Sequence, residues 1–216
     1  MPTWKSEPVW KGHDVFVIGG GPSLTGFDWF RLRGHLTVGC NSAYLLGVIA
    51  CKICVFGDGS RSNERSFWNK NKDGLAAYAA QGGVVFTNHP ALFDDETPWL
   101  WTMRRQARGL STTERLGWNH NTGSTAINLA LLLGARRLYL LGFDMRSNGT
   151  KNNWHSNGER RIDPAVYHEF IDNYKCVARD WHEKFNDRII VNLTPDSALP
   201  DSVFPRGDVD DVLVKA

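Results

Sequence analysis

The sequence has no long hydrophobic run and almost no excess of charge, and each shortage excludes a class of protein. The longest apolar stretch, residues 129–133, is far shorter than the ~20 residues that span a bilayer. The N-terminal residues carry no apolar signal region, so we expect a cytoplasmic protein. The formal net charge is only +2. The composition therefore does not require a partner that is bound mainly through bulk charge, such as DNA or an anionic membrane.

Cysteine is also scarce. The four cysteines, Cys40, Cys51, Cys54 and Cys176, are too few and too unevenly spaced for a disulfide framework in a chain of this length. Cys51 and Cys54 have the C-x-x-C spacing, but they lie in an apolar, strand-like run and no second pair completes a zinc ribbon. We therefore predict buried structural thiols.

Short apolar runs alternate with helical patterns along the chain. The predicted strands are 14–18, 36–40, 51–56, 84–87, 137–141 and 188–192, and the predicted helices are 22–32, 62–80, 97–108, 124–133 and 164–185. This alternation predicts βαβ units and an α/β, Rossmann-like three-layer domain with a mainly parallel sheet. The 216 residues are expected to form a single domain, with a core over 14–200 and a C-terminal tail over 201–216. Segments 110–121 and 144–161 have no period and are predicted to be irregular functional loops or lids.

Ligands of open α/β sheets bind beyond the carboxyl ends of the strands. Small and polar residues follow the predicted strands there: Gly19, Gly20, Gly21, Pro22 and Ser23; Asn41 and Ser42; Asp58; Asn88 and His89; and Asp144. These residue types let backbone approach a ligand closely and then orient it.

The glycine turn after the first strand is suited to a phosphate, because its backbone N–H groups and the following helix start attract an anion. Leu24 occupies the third glycine position of the dinucleotide fingerprint, and Asn41 stands where an acidic ribose ligand is expected, so NAD is disfavoured. A tight turn without a ligand is the alternative. A second polar helix start, with Thr122, Gly123 and Ser124, is either a second anion site or only a helix cap.

Four motifs, in this order and spacing, resemble a known family. They are V-I-G-G-G-P-S-L at 17–24, C-N-S-A-Y at 40–44, T-G-S-T-A at 122–126 and L-G-A-R-R-L-Y-L-L-G-F-D at 133–144. Together they resemble the bacterial sialyltransferases of glycosyltransferase family 42, over roughly residues 14–200. The related pterin pyrophosphokinase-like and motility-accessory-factor proteins share the pattern, and similar small reading frames occur in phages, which suggests a phage-encoded member.

The resemblance implies roles for individual residues. The glycine turn would hold a CMP donor, with Gly20 in place of the family's asparagine, and His155, in an H-S-x-N/G context, would be the catalytic base. His89 and His120 are the alternatives for this base. Arg146 and Asn152 stand where the family has a tyrosine pair that steadies the departing phosphate, and Asn119 stands where it has an arginine. A cation at Arg146 can replace the phenols, because it neutralises charge on the leaving phosphate.

The predicted function is that of a nucleotide-dependent transferase, an inverting glycosyltransferase with a CMP-type sugar donor, a hydroxyl acceptor and His155 as base. No metal cofactor is expected. The alternatives are a magnesium- and ATP-dependent diphosphotransferase in which Asp58 holds the metal, a phage enzyme that glycosylates a DNA base, and a non-catalytic nucleotide-binding module. The family resemblance also suggests self-association.

Nine tryptophans remain to be placed. Trp29, Trp68 and Trp181 lie on predicted helices and are assigned to the core. Four others, Trp99, Trp101, Trp118 and Trp154, are expected to rim the site as an aromatic acceptor wall. The acceptor-side candidates are Trp118, Asn119, Asn152 and Trp154. Arginines at 104, 105, 108 and 115 are either a nucleic-acid contact or the solvated face of an amphipathic helix.

Overall fold

A seven-stranded parallel sheet lies at the centre of the protein. The computed structural model describes residues 7–93, 97–149, 151–155 and 163–213. The strands are β1 (Asp14–Ile18), β2 (Leu36–Cys40), β3 (Ile53–Phe56), β4 (Val84–Thr87), β5 (Leu100–Thr102), β6 (Arg104–Gln106), β7 (Arg115–Gly117), β8 (Arg137–Leu141) and β9 (Ile189–Asn192). The main sheet has the order β5-β4-β3-β2-β1-β8-β9, and β6 and β7 form a separate parallel pair.

Helices cover the sheet. They are α1 (Gly47–Ala50), α2 (Phe67–Ala80), α3 (Thr122–Leu132), α4 (Pro164–Lys184) and α5 (Val209–Val212), with 3-10 segments at Pro22–Leu24, Trp29–Leu32, Asn41–Leu46 and Pro90–Leu92. Side chains of β1 alternate between two cores: Val15 and Val17 pack in the cluster that contains α3 and α4, and Phe16 and Ile18 in the cluster that contains α2. The predicted Rossmann-like three-layer α/β fold is confirmed.

The chain changes direction across the sheet between β1 and β8. From β1 the strands β2 to β5 add on one side, whereas β8 and β9 lie on the other. The loops that follow β1 and β8 therefore leave the sheet edge in opposite directions and open a crevice, which is where ligands of open α/β sheets bind.

Two predicted helices are wrong. Residues 97–108 form β5 and β6 instead, and Trp101 on β5 stacks on Phe86 with ring centroids 6.2 Å apart. Only two 3-10 segments form within 22–32, because Gly26 between them has φ +78°, a left-handed conformation that interrupts a helix. The amphipathic helix proposed for the arginine cluster does not exist.

The irregular segments are partly ordered. Residues 110–121 include β7, whereas residues 144–149 and 151–155 contain no helix or strand. The other residues of the predicted 144–161 loop, 150 and 156–161, lie outside the described residues, and Ser156 of the H-S-x-N/G motif is one of them. The tail contributes to the core, since Val203, Phe204 and Leu213 are buried.

Three of the cysteines are buried, as predicted. Burial raises the pKa of Cys51 to about 12, and the thiols of Cys51 and Cys54 donate to the carbonyls of Ile53 and Asn41 at 3.3 and 3.1 Å. Cys176 is partly exposed. Within the described ranges, no helix has the length and apolarity needed to cross a membrane.

Candidate active site

A cavity of about 210 Å³ opens at the crevice between β1 and β8. Its walls come from the carboxyl ends of β1, β2 and β8, the start of α3, the loop before α4, and α4 itself. The lining residues are Gly19, Gly20, Gly21, Cys40, Asn41, Trp118, His120, Asn121, Thr122, Gly123, Gly142, Phe143, Asp144, Met145, Arg146, Asn152, Asn153, Tyr167, Phe170 and Tyr174.

The glycine turn is held to the loop after β8 by Asp144. This carboxylate, only 4% exposed, accepts the backbone N–H of Ser23 at 2.9 Å and its hydroxyl at 2.8 Å. A Cβ on Gly21 would overlap the Asp144 carboxylate, so only glycine allows this approach. Burial raises the pKa of Asp144, although the Ser23 hydrogen bonds and the charge of Arg146 oppose the shift.

Three residues that line the cavity carry buried polar atoms without a partner. Asn41 Oδ1, Asn152 Oδ1 and the Tyr167 hydroxyl have no hydrogen bond to any described residue. Burial and the charge of Asp144 raise the pKa of Tyr167, which keeps its hydroxyl protonated. Buried polar groups are satisfied in more than 90% of cases, and these three unsatisfied groups around one cavity are available to a polar ligand.

The start of α3 lies at the cavity floor. Asn121 caps the helix by accepting the N–H groups of Gly123 and Ser124 at 2.7 and 3.4 Å, and it also accepts the Tyr174 hydroxyl at 2.8 Å. Thr122 and Gly123 line the cavity, whereas Ser124 is fully buried behind them. The helix start is therefore capped, by the amide of Asn121 and not by a hydroxyl, and two of the N–H groups predicted for an anion are already bonded to it.

Trp118 forms one wall. The guanidinium of Arg105 lies 4.1 Å from the centroid of its ring, and Arg105 donates to the Gly57 carbonyl at 2.7 Å and to Asn88 Oδ1 at 3.2 Å. The Arg105 guanidinium is thus bonded within the protein, and a nucleic-acid contact of the arginine cluster stays a prediction.

The other predicted acceptor-side residues have separate places. Asn119 is fully buried, and its amide bonds both backbone groups of Gly109, accepting at 2.6 Å and donating at 3.1 Å. Trp154 holds the glycine turn through two hydrogen bonds. Its backbone N–H donates to the Gly20 carbonyl at 3.0 Å and its indole N–H to the Gly19 carbonyl at 3.2 Å. Neither residue lines the cavity, whereas Asn152 does.

His155 is not among the described residues that line the cavity, although Asn152 and Asn153, near it in the sequence, are. Its ring packs edge-on against Trp154 at 5.1 Å between centroids. Partial burial there lowers the pKa of His155, although the residue as a whole is exposed. The neutral imidazole that a base requires is therefore favoured, while its contact with a bound substrate stays a prediction.

Arg146 reaches both the main cavity and an adjoining one of about 270 Å³, which Pro22 and Ser23 also line. It is half-exposed and lies 3.7 Å from the carboxylate of Asp196. Ser42 is half-buried in the 3-10 segment after β2 and contributes to neither set of lining residues.

Asp58 is exposed at the end of β3. Among the residues that the structure describes, no three His, Cys, Asp or Glu side chains group closely enough to hold a metal ion. Metal independence stays a prediction.

The contribution of α4 to the site was not predicted from the sequence, and His120 ranked behind His155 as the candidate base. Tyr167, Phe170 and Tyr174 recur at helical spacing and line the cavity, but such a stripe reads as an ordinary core face. Trp99 and Trp101, predicted to rim the site, pack instead on Trp68 and Phe86.

The sequence matches no protein-family profile and no curated protein. Among the solved structures that resemble it are three of sialyltransferases. The sialyltransferase CstII from Campylobacter jejuni in complex with cytidine-5'-monophosphate as substrate analogue is 16% identical, with 90% of this chain and 85% of that chain covered and a TM-score of 0.54. CST-II with a trisaccharide acceptor and CMP is 15% identical, with 89% and 85% covered and a TM-score of 0.50.

Monofunctional alpha-2,3-sialyltransferase Cst-I from Campylobacter jejuni is 15% identical, with 90% of this chain and 80% of that chain covered and a TM-score of 0.56. At this identity the likeness is one of fold, and it extends over nearly the whole chain. The three structures include neither a phage protein nor a pterin pyrophosphokinase.

Proposed function

We propose that the chain is a glycosyltransferase that takes a CMP-activated sugar as donor and a hydroxyl compound as acceptor. The observation that carries the proposal is the cavity at the β1/β8 crevice, with its close backbone turn and its three unpartnered polar atoms. The fold supports it, because similarly folded sialyltransferases bind CMP, in one case with a trisaccharide acceptor.

The donor would bind along the glycine turn. Gly19 to Gly21 expose backbone that a phosphate or ribose can approach, and Asn41 and Asn152 offer amide groups for a nucleotide. The cation of Arg146, at the mouth of the cavity, would offset the charge that develops on the departing CMP phosphate. No metal ion is needed in this scheme.

Transfer proceeds by one displacement with inversion at the anomeric carbon. A base accepts the proton of the acceptor hydroxyl, whose oxygen attacks the anomeric carbon, while the bond to the phosphate oxygen breaks and its electron pair leaves with CMP. The family resemblance assigns the base to His155, which is not among the described residues that line the cavity.

Isothermal titration with CMP, UDP and GDP, each with and without magnesium, tests the proposal. We expect CMP to bind with an affinity that magnesium does not change. No binding by any of the nucleotides would refute the proposal. Binding of ATP that requires both magnesium and Asp58 would instead favour a diphosphotransferase.

Two asparagines with left-handed backbone provide a matched pair of variants. Asn41 (φ +51°) has an unpartnered amide oxygen and lines the cavity, whereas Asn119 (φ +47°) has both amide groups bonded to Gly109. Glycine tolerates this conformation at both positions. Asn41→Gly should weaken CMP binding about 10-fold with little change in melting temperature, since one good hydrogen bond is worth ~1.5 kcal/mol. Asn119→Gly should lower the melting temperature and leave CMP affinity within about threefold.

A further inference from the structure

We infer that Trp118 and His120 form the acceptor wall of the cavity, and that His120 is the base that takes the acceptor's proton. The inference rests on the proposed function. It starts from the observation that His120 lines the same cavity as the glycine turn, with its ring centroid 6.4 Å from that of Trp118.

The indole of Trp118 is fixed before any ligand arrives. Arg105 lies over its ring, and two hydrogen bonds from Arg105 to Gly57 and Asn88 fix the guanidinium in turn. Gly57 has no side chain, and a Cβ there would overlap the ring. The hydrogen-bonded arginine therefore covers one face of the indole and bare backbone contacts its six-membered ring, which makes the ring a rigid surface that needs no ordering on binding.

His120 is placed by a strained turn. Asn119 and His120 are consecutive residues with φ +47° and +52°, a left-handed conformation that costs free energy in residues other than glycine, although asparagine and histidine tolerate it better than most. Two hydrogen bonds to Gly109 lock Asn119, and Asn121 caps α3 immediately afterwards. Strain that neighbours hold in place on both sides is typical of a residue positioned for function.

The two side chains suit a pyranose acceptor. The C–H face of a sugar ring can pack on the fixed indole, while an imidazole two residues away lies within reach of a ring hydroxyl. His120 accepts the hydroxyl proton as the oxygen bonds to the anomeric carbon of the donor, and CMP leaves with the electron pair of the broken C–O bond. The imidazolium then releases its proton to water.

The competing histidines fit this role less well. His89 accepts the backbone N–H of Ala91 through Nδ1 at 3.2 Å, so in the neutral ring Nε2 carries the proton and cannot accept another. His89 and His155 are both absent from the described residues that line the cavity.

The test uses His120→Asn, since asparagine tolerates a left-handed backbone, with His168→Asn on the exposed surface of α4 as control. The readouts are calorimetric CMP binding and release of CMP from CMP-N-acetylneuraminic acid, with water or lactose as acceptor. We expect His120→Asn to bind CMP within about threefold of wild type but to turn over at least ~100-fold more slowly. The control should keep both properties.

His120→Gly, which relieves the turn, provides the second readout. Added imidazole should restore part of its turnover, an effect that a purely structural role would not produce. If His120→Asn turns over normally while His155→Asn loses turnover, the assignment of His120 is overturned and the proposed function stands. If the wild-type protein binds no CMP, the proposed function itself fails.

Discussion

Replacement of Asp144 tests how the glycine turn is held. Asp144→Ala removes the acceptor of two hydrogen bonds from Ser23, at 2.9 and 2.8 Å. A hydrogen bond to a charged group contributes about 1.5–3 kcal/mol. Loss of the buried carboxylate also removes its desolvation cost, which offsets part of the free energy lost with the two hydrogen bonds. We therefore expect a net destabilisation of about 3 kcal/mol.

Asp144→Asn is the matched control. Its amide oxygen can still accept the Ser23 N–H, and its NH₂ can donate to the Ser23 hydroxyl, so both contacts remain. For a chain of 216 residues, 1 kcal/mol corresponds to about 2–4 °C. The melting temperature of Asp144→Ala should therefore fall by roughly 6–12 °C and that of Asp144→Asn by much less, as measured by calorimetry.

The same pair separates stability from binding. If Asp144 holds the turn in its binding conformation, Asp144→Ala should bind CMP about 10-fold more weakly, or ~1.4 kcal/mol, at a temperature where it is still folded. Equal melting temperatures for the two variants, or wild-type CMP affinity in Asp144→Ala, would refute the reasoning.

The pH dependence of stability gives a second readout of the same carboxyl group. Burial raises the pKa of Asp144 in the folded state, so the folded protein holds this proton more tightly than the unfolded chain. The associated stability is present below the unfolded pKa of about 3.9 and is lost as the pH rises through the folded pKa. Wild type should therefore gain stability relative to Asp144→Asn as the pH falls from 7 towards 4, in thermal melts of both proteins.

Three further predictions concern the surroundings of the site. Gly57→Ala should displace the Trp118 ring that its Cβ would overlap and cost about 1–3 kcal/mol, seen as a lower urea midpoint and altered tryptophan fluorescence. Asp180→Ala leaves the Leu110 N–H, now bonded at 2.7 Å, without its partner, and should cost about 2–4 kcal/mol in the same urea assay. A thiol reagent should label only Cys176 quickly in the folded protein, because the other three cysteines are buried, and mass spectrometry of the labelled peptides checks this.

The sequence predicts the sheet and the position of the crevice well. Strands 14–18, 36–40, 84–87 and 137–141 match β1, β2, β4 and β8 residue for residue, since a strand buried on both faces appears as a short apolar run bounded by turn residues. Once the strands are placed, the residues that follow them must meet at one edge. Gly19, Asn41 and Asp144 were found in this way.

The helix predicted at 97–108 failed for a physical reason. Leu100, Trp101 and Thr102 belong to the edge strand β5, and pairing with β4 together with the stacking of Trp101 on Phe86 decides their conformation. Local helix propensity is a weak preference that such tertiary contacts override. Because of this error the role of Arg105 was not predicted: its guanidinium lies over the Trp118 ring.

The stripe on α4 shows why the rest of the site could not be predicted. One face of α4 carries four aromatic residues at helical spacing: Tyr167, Phe170, Tyr174 and Trp181. At the C-terminal end of this stripe, Tyr174 and Trp181 are buried against Phe204, as a core face requires. At its N-terminal end, Tyr167 brings an unpartnered hydroxyl to the cavity. Periodicity identifies the face of the helix, but tertiary packing decides which part of that face joins the core and which part lines the cavity, and a single sequence does not show that packing.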